Sequence, residues 1–306
     1  MQILPLEILI AIIDTLTCNT QSDAYTYTPE LKKTLRSLTL VNRACHQWST
    51  NLLYSRVTLT NSQIAELVAT LSEATPHAQS LAKRIHSLRL VVADLTAQVT
   101  DGIDHLVDAI SLLRILAPTL AIQRLFLDTD IRVIHTGTPI QDLLRNAVSC
   151  LASLSELTLI NQEHRKAEFF WDIELVDHHY DCLLGLQVLK VGHVTIDEPS
   201  ATEFLFPLVN LKELVLICPW ANGANINVGW ILAMLFAPDR ALQHLTLVLV
   251  EGWVALGLES LTAENLGPAM VPHLDKVDIF SEREPEASRS WMEIGNMIGI
   301  GHRWSQ

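Results

Sequence analysis

The feature that most constrains this chain is a spacing, apolar-x-x-apolar-x-apolar, that recurs eight times. It reads Tyr54/Val57/Leu59, Ile85/Leu88/Leu90, Ile122/Leu125/Leu127 and Leu154/Leu157/Leu159. It continues as Leu186/Leu189/Val191, Leu211/Leu214/Leu216, Leu242/Leu245/Leu247 and Leu274/Val277/Ile279. The middle residues are separated by 31, 37, 32, 32, 25, 31 and 32 positions. Alternation over the last three positions puts the apolar side chains on one side of an extended strand. Helical stretches lie between these strands at Gln63–Leu71, Ile103–Leu116, Pro139–Leu151, Val228–Phe236 and Leu258–Leu266, punctuated by Pro118, Pro238 and Gly267-Pro268. A strand and a helix at a near-fixed period predict an α/β solenoid of parallel strands over residues 55–306, each unit burying its face on its neighbours. An all-helical repeat array and an open α/β sheet are the competing readings. The open sheet lacks a glycine-rich phosphate turn after any early strand.

Composition narrows the function. With 49% hydrophobic and 18% charged residues the chain reads as folded and core-rich. Its net charge of −13 argues against binding a phosphate backbone, and no basic run offsets it. The five cysteines, at 18, 45, 150, 182 and 218, show neither disulfide-framework nor zinc spacing, and Cys45 and Cys150 read as small buried hydrophobes. Pro5, Glu7 and the lack of a basic lead argue against a secretory signal. The longest apolar run, Val228 to Pro238, is short of the roughly 20 residues a spanning helix needs. A reducing, soluble compartment, cytoplasmic or nuclear, is the expectation, without membrane or nucleic-acid partners.

Nothing in the chain reads as an enzyme. No nucleophile elbow, phosphate loop or His-Glu-x-x-His occurs. The stretch Asp172–Asp181 gathers carboxylates around His178 and His179, and a metal-dependent hydrolase at Asp177, His178 and His179 is one competing reading. A solvated acidic surface is the preferred reading, with no metal, cofactor or catalytic residue assigned.

That leaves binding. If positions 1, 4 and 6 of each repeat enter the core, positions 3, 5 and 7 point to the opposite, concave face. Position 5 carries Phe126 and Val215; position 7 carries Ile217, Val248 and Phe280. Together with Phe170, Trp171, Trp220 and Trp253 just past the strands, these are the expected contacts for a target protein, since aromatic side chains dominate binding hot spots. The competing reading is that they plug the ends of the array.

Ahead of the array lies a short amphipathic head, residues 1–54. Pro5 suits a first helical position, and Ile8, Leu9, Ile12, Ile13 and Leu16 recur at helical spacing. Leu35, Leu38, Val41, Cys45 and Trp48 repeat that stripe. Two short helices this apolar cannot cover each other alone and call for a partner.

The order Leu4-Pro5-x-Glu7-Ile8, a helical run, then Leu35-x-x-Leu38-x-Leu40-Val41-Asn42-Arg43-x-Cys45-x-x-Trp48 and Leu52-Leu53-Tyr54 resembles the F-box, in the form common in fungal proteins. The segment Thr17 to Thr34 is an insert where a compact F-box has a short turn. The array resembles long, irregular leucine-rich repeats of the kind that often follow an F-box. It departs from their rule in its longer spacings and in having Gln162, Val194, Pro219 and Val250 where Asn or Cys is usual. The resemblance implies a substrate-recruiting adaptor of an SCF-type cullin-RING ubiquitin ligase. Leu4, Pro5, Glu7, Ile8, Ile12, Leu38, Val41, Asn42, Arg43, Trp48 and Leu53 would contact a Skp-family linker protein, and the repeats would bind the target. A repeat scaffold with no ligase role is the alternative.

Overall fold

In a computed structural model, residues 27–73, 75–93, 99–130, 148, 150–161, 184–192, 208–217, 241–250 and 276–282 are described. Helices α1 (Pro29–Leu38) and α2 (Arg43–Ser55) form a hairpin that runs directly into strand β1 (Arg56–Thr60). Helices α3 (Asn61–Ser72) and α4 (Pro76–Ala82) then lead to β2 (Ser87–Ala93). Helix α5 (Val99–Leu116) and a 3-10 turn precede β3 (Arg124–Asp130). The remaining strands are β4 (Glu156–Asn161), β5 (Val188–Gly192), β6 (Glu213–Ile217), β7 (His244–Val250) and β8 (Lys276–Glu282).

The eight strands form one sheet in sequential order, and every neighbouring pair is parallel. Its register is the sequence repeat itself. Val57, Leu88, Leu125, Leu157, Leu189, Leu214, Leu245 and Val277, the middle residues of the eight units, stand opposite one another from edge to edge. The chain is thus α/β, with parallel strands alternating with helices, an arrangement compatible with a solenoid.

Position 1 of the repeat supplies a second buried row: Ile85, Ile122, Leu154, Leu186, Leu211 and Leu242. These rows and position 6 (Leu90, Leu127, Leu159) pack against Ile64 and Leu71 of α3, Leu81 of α4, and Leu106, Ile110 and Leu113 of α5 in one continuous core. Successive units are also stitched by backbone. The carbonyls of His86, Gln123, Ser155, Gln187 and Lys212 each accept two N–H groups from the next unit, at 2.8–3.1 Å. These bonds satisfy the chain where it enters each strand without requiring any particular side chain.

The helices start where short polar side chains stop the preceding chain. Thr28 caps α1 through its hydroxyl, with Pro29 at the first helical position, and Thr75 and Pro76 repeat the device for α4. Thr60 and Gln63 form a capping box on α3. Two expectations change here. The insert Thr17 to Thr34 is helical from Pro29 onward, because the Thr-Pro-Glu start makes an N-terminus that the Leu35 stripe alone does not show. The stripe from Leu35 to Trp48 is two helices separated by a turn, and Tyr54, expected to open the first strand unit, closes α2. The expected helices at Val228–Phe236 and Leu258–Leu266 lie outside the described residues, as does nearly all of Pro139–Leu151. None of the described helices is long and apolar enough to cross a membrane.

Candidate functional site

Two surfaces were expected to bind partners: the head and the far face of the sheet. Within the head, α1 and α2 enclose a small core of Tyr27, Leu31 and Leu35, against which Leu38, Trp48, Leu52 and Leu53 pack half-buried. Leu38, Trp48 and Leu53, three of the expected linker contacts, therefore serve the head's own packing in part. Cys45 and Ser49, one turn apart, are buried on α2 as well.

The turn between the helices is fastened at both ends. Thr39, Leu40 and Val41 donate their N–H groups to Leu35, Ser37 and Leu38, each at 3.2 Å. The Asn42 side chain accepts from the Cys45 N–H at 2.8 Å, capping α2, and His46 Nδ1 lies 3.2 Å from the Thr39 carbonyl oxygen. Asn42, expected to touch a linker, thus uses its side chain to start a helix. On this fastened turn Leu40 is 87% and Val41 62% exposed. An apolar pair held in water by a preformed turn loses little freedom on binding, and burying each side chain is worth about 1.5–3 kcal/mol. Val41 was expected as a contact and is available. Leu40 was missed as one, since it falls between Leu38 and Val41 in a stripe read as one continuous helix.

Arg43, at the first position of α2, is exposed, as are Lys33 and Arg36 on α1. On α1, Lys33 and Arg36 fall on the side turned away from Leu31 and Leu35 by helical spacing, whereas Lys32 is half-buried beside that apolar side. Burial and, secondly, the Arg36 charge hold the Lys32 amine below its ordinary pKa. The expected contacts Leu4, Pro5, Glu7, Ile8 and Ile12 lie outside the described residues.

The far face of the sheet departs from expectation. Position 5 and 7 residues, expected to be open, are buried: Val91, Phe126, Asp128, Thr158, Ile160 and Val215 are each at most 5% exposed, and Arg89 is 9%. Phe126 and Val215 therefore present no surface to a target. The physical reason lies in the face itself. Its apolar residues favour burial, as all-parallel sheets usually are on both sides, and its charges are internally matched. Arg89 lies over the Phe126 ring, 4.3 Å from the centroid, and meets Asp128 at 3.2 Å. Toward the strand starts the face opens into a charge ladder. Arg124 meets Glu156 at 3.3 Å, and Lys190 reaches Glu156 at 4.0 Å and Glu213 at 3.6 Å. Glu156 and Glu213 both stand opposite Val188, so Lys190, two residues further along, can lean between them.

Ile217 and Val248 lie on β6 and β7 at the expected face positions. Phe170, Trp171, Trp220, Trp253 and the histidine stretch with Asp177, His178 and His179 lie outside the described residues. Cys150, expected to be buried, is exposed, whereas Cys45 is buried as expected. No protein-family model matches the chain, and no curated protein matches it.

The described geometry thus defines a parallel α/β repeat protein bearing a helical hairpin with an exposed apolar tip. Among the described large hydrophobic residues, Leu40 on this tip is the most exposed.

Proposed function

We propose that the chain is a substrate-recruiting adaptor of an SCF-type cullin-RING ubiquitin ligase, cytoplasmic or nuclear. Its F-box-like head, residues 1–54, docks on a Skp-family linker, and its leucine-rich-repeat-like array presents a target. The observation that carries this reading is the exposed Leu40–Val41 pair on a fastened turn, built on helices that pass without a spacer into a long repeat sheet. A head of this kind gives a docked linker a fixed geometry relative to the array, which a recruiting subunit needs. With Phe126 and Val215 buried, target recruitment falls to the strand ends and to the aromatic residues Phe170, Trp171, Trp220 and Trp253.

Co-expression of the full chain with a Skp-family linker, followed by size exclusion, tests the proposal. The expected result is a one-to-one complex that is lost in Leu40→Ser/Val41→Ser and weakened in Leu4→Ala/Pro5→Ala, with the circular-dichroism spectrum unchanged. A wild-type chain that elutes without the linker would leave a repeat scaffold with no ligase role.

A further inference from the structure

The charge of this chain is unevenly placed. The whole carries −13, yet residues 27–56 hold five cations, Lys32, Lys33, Arg36, Arg43 and Arg56, against the single carboxylate Glu30. Three of these cations flank the apolar tip along the chain. Arg36 precedes the turn by three residues, Lys33 lies one turn earlier on α1, and Arg43 follows Val41 by two residues. All three are exposed, and none enters an ion pair among the described residues. The side chains nearest in sequence to the tip offer no acid: Ser37, Thr39, Asn42, Ala44 and His46.

Exposed cations of one sign repel one another, and folding leaves that repulsion in place. Anions supplied from outside would relieve the repulsion while the apolar pair loses its water. The apolar pair lies on the fastened turn, and the exposed cations lie on the two helices that the turn joins. Resting on the docking reading above, we infer that the hairpin tip docks into a partner protein through an apolar recess rimmed by carboxylates. Leu40 and Val41 fill the recess, and Lys33, Arg36 and Arg43 face the acidic rim. Division of labour follows from the physics. The charges steer encounter and govern the on-rate, whereas the buried apolar pair governs how long the complex lasts.

Two probes test this on the full chain. The first is the Skp-family linker, with association and dissociation followed by surface-based kinetics across a salt series. Lys33→Gln/Arg36→Gln/Arg43→Gln should slow association about tenfold at low salt, with the gap closing as ionic strength rises. Leu40→Ser/Val41→Ser should instead speed dissociation. The second probe is a pair of short peptides of equal length, each with a Phe-Leu core, one flanked by aspartates and the other by asparagines. The aspartate peptide should bind at least tenfold tighter and protect residues 36–43 from hydrogen exchange.

A linker complex whose rates ignore salt and the charge substitutions would overturn the inference and leave the adaptor reading standing. A linker that does not bind, beside an aspartate peptide that does, would remove the adaptor reading and support an acidic partner of another kind. Equal or absent binding of the two peptides counts against the inference. So does hairpin protection by phosphatidylserine vesicles without any by the aspartate peptide, which would assign the cations to a lipid surface.

Discussion

The burial of the sheet's far face has a consequence for stability that the Arg89–Asp128 pair measures directly. The two side chains are 10% and 3% exposed and meet at 3.2 Å. An exposed ion pair contributes about 0–1 kcal/mol, whereas removing one partner of a buried pair costs about 3–5 kcal/mol because the survivor stays charged and dry. Asp128→Asn keeps the shape and removes the counter-charge from beneath a guanidinium already held over Phe126. The expected loss is therefore at the buried end, about 3 kcal/mol or more. Replacing both partners in Arg89→Met/Asp128→Leu removes the charge and its desolvation together, and the double variant should fall within about 1 kcal/mol of the parent. Urea unfolding followed by circular dichroism reads both, as a change in midpoint at constant slope. A loss below about 1 kcal/mol in Asp128→Asn would mean that water reaches this face. The open concave surface first expected from the repeat would then be restored, with Phe126 and Val215 returned to the target-binding set.

Three further perturbations address the head and the array separately. Asn42→Ala removes the cap on α2 and should cost about 1 kcal/mol in a urea titration, while Asn42→Asp, which still accepts from the Cys45 N–H, should recover most of it. Arg36→Gln should move the Lys32 amine up toward its ordinary pKa, read by side-chain NMR titration; an unmoved value would leave burial as its sole cause. Because the folded-state pKa is the lower one, the unfolded chain binds more protons in the alkaline window between the two values. Stability in the parent should therefore rise with pH there, and less steeply in Arg36→Gln. Leu120 follows the 3-10 turn in the left-handed region, with φ 52° and its side chain mostly exposed. Leu120→Gly relieves a strain of about 1–2 kcal/mol and gives back about 0.4–1 kcal/mol in unfolded-chain entropy, so the variant should be neutral or slightly more stable in the same titration.

The strands were legible because a period of two leaves no choice of face and a repeat leaves little choice of partner. Val57 through Val277 could be aligned on paper and stand aligned in the sheet. Helices α3 and α5 were legible for a similar reason, having several turns of apolar periodicity. Helix α4 is seven residues long, too short to show a period, and only Thr75-Pro76 announces it. The far face was misread because alternation says that two sets of side chains diverge, not which set meets water. Arg89 and Asp128 read as polar and exposed when taken singly. Only the pairing of β2 with β3 brings them together as a neutral, buried unit. Leu40 was hidden by the same limit: a leucine in a leucine-rich run signals core until the turn that lifts it out is known.

What joins the head to the array is a junction with no slack. Helix α2 ends at Ser55 and β1 begins at Arg56. The Ser55 carbonyl accepts the His86 N–H at 3.1 Å, and its hydroxyl lies 3.1 Å from the Tyr27 hydroxyl. The Arg56 guanidinium sits 4.8 Å from the Tyr27 ring centroid. Ser55 and Arg56 thus tie α2, the first strand, the second unit and Tyr27 together. Inserting two glycines between Ser55 and Arg56 would cut the His86–Ser55 and Arg56–Tyr27 ties while leaving the Ser55–Tyr27 bond and the cores of head and array intact. The His86–Ser55 hydrogen bond is worth about 0.5–1.5 kcal/mol net and the cation–ring contact about 0.5–1 kcal/mol, so the coupling lost is about 1–2.5 kcal/mol. Parent unfolding should be one transition to fluorescence and circular dichroism alike. The insertion variant should show two, the smaller reported by Trp48 in the head. A single transition at the parent midpoint would mean that the head and array communicate through other contacts, and a rigid junction could no longer explain how a partner held at the hairpin is fixed relative to the sheet.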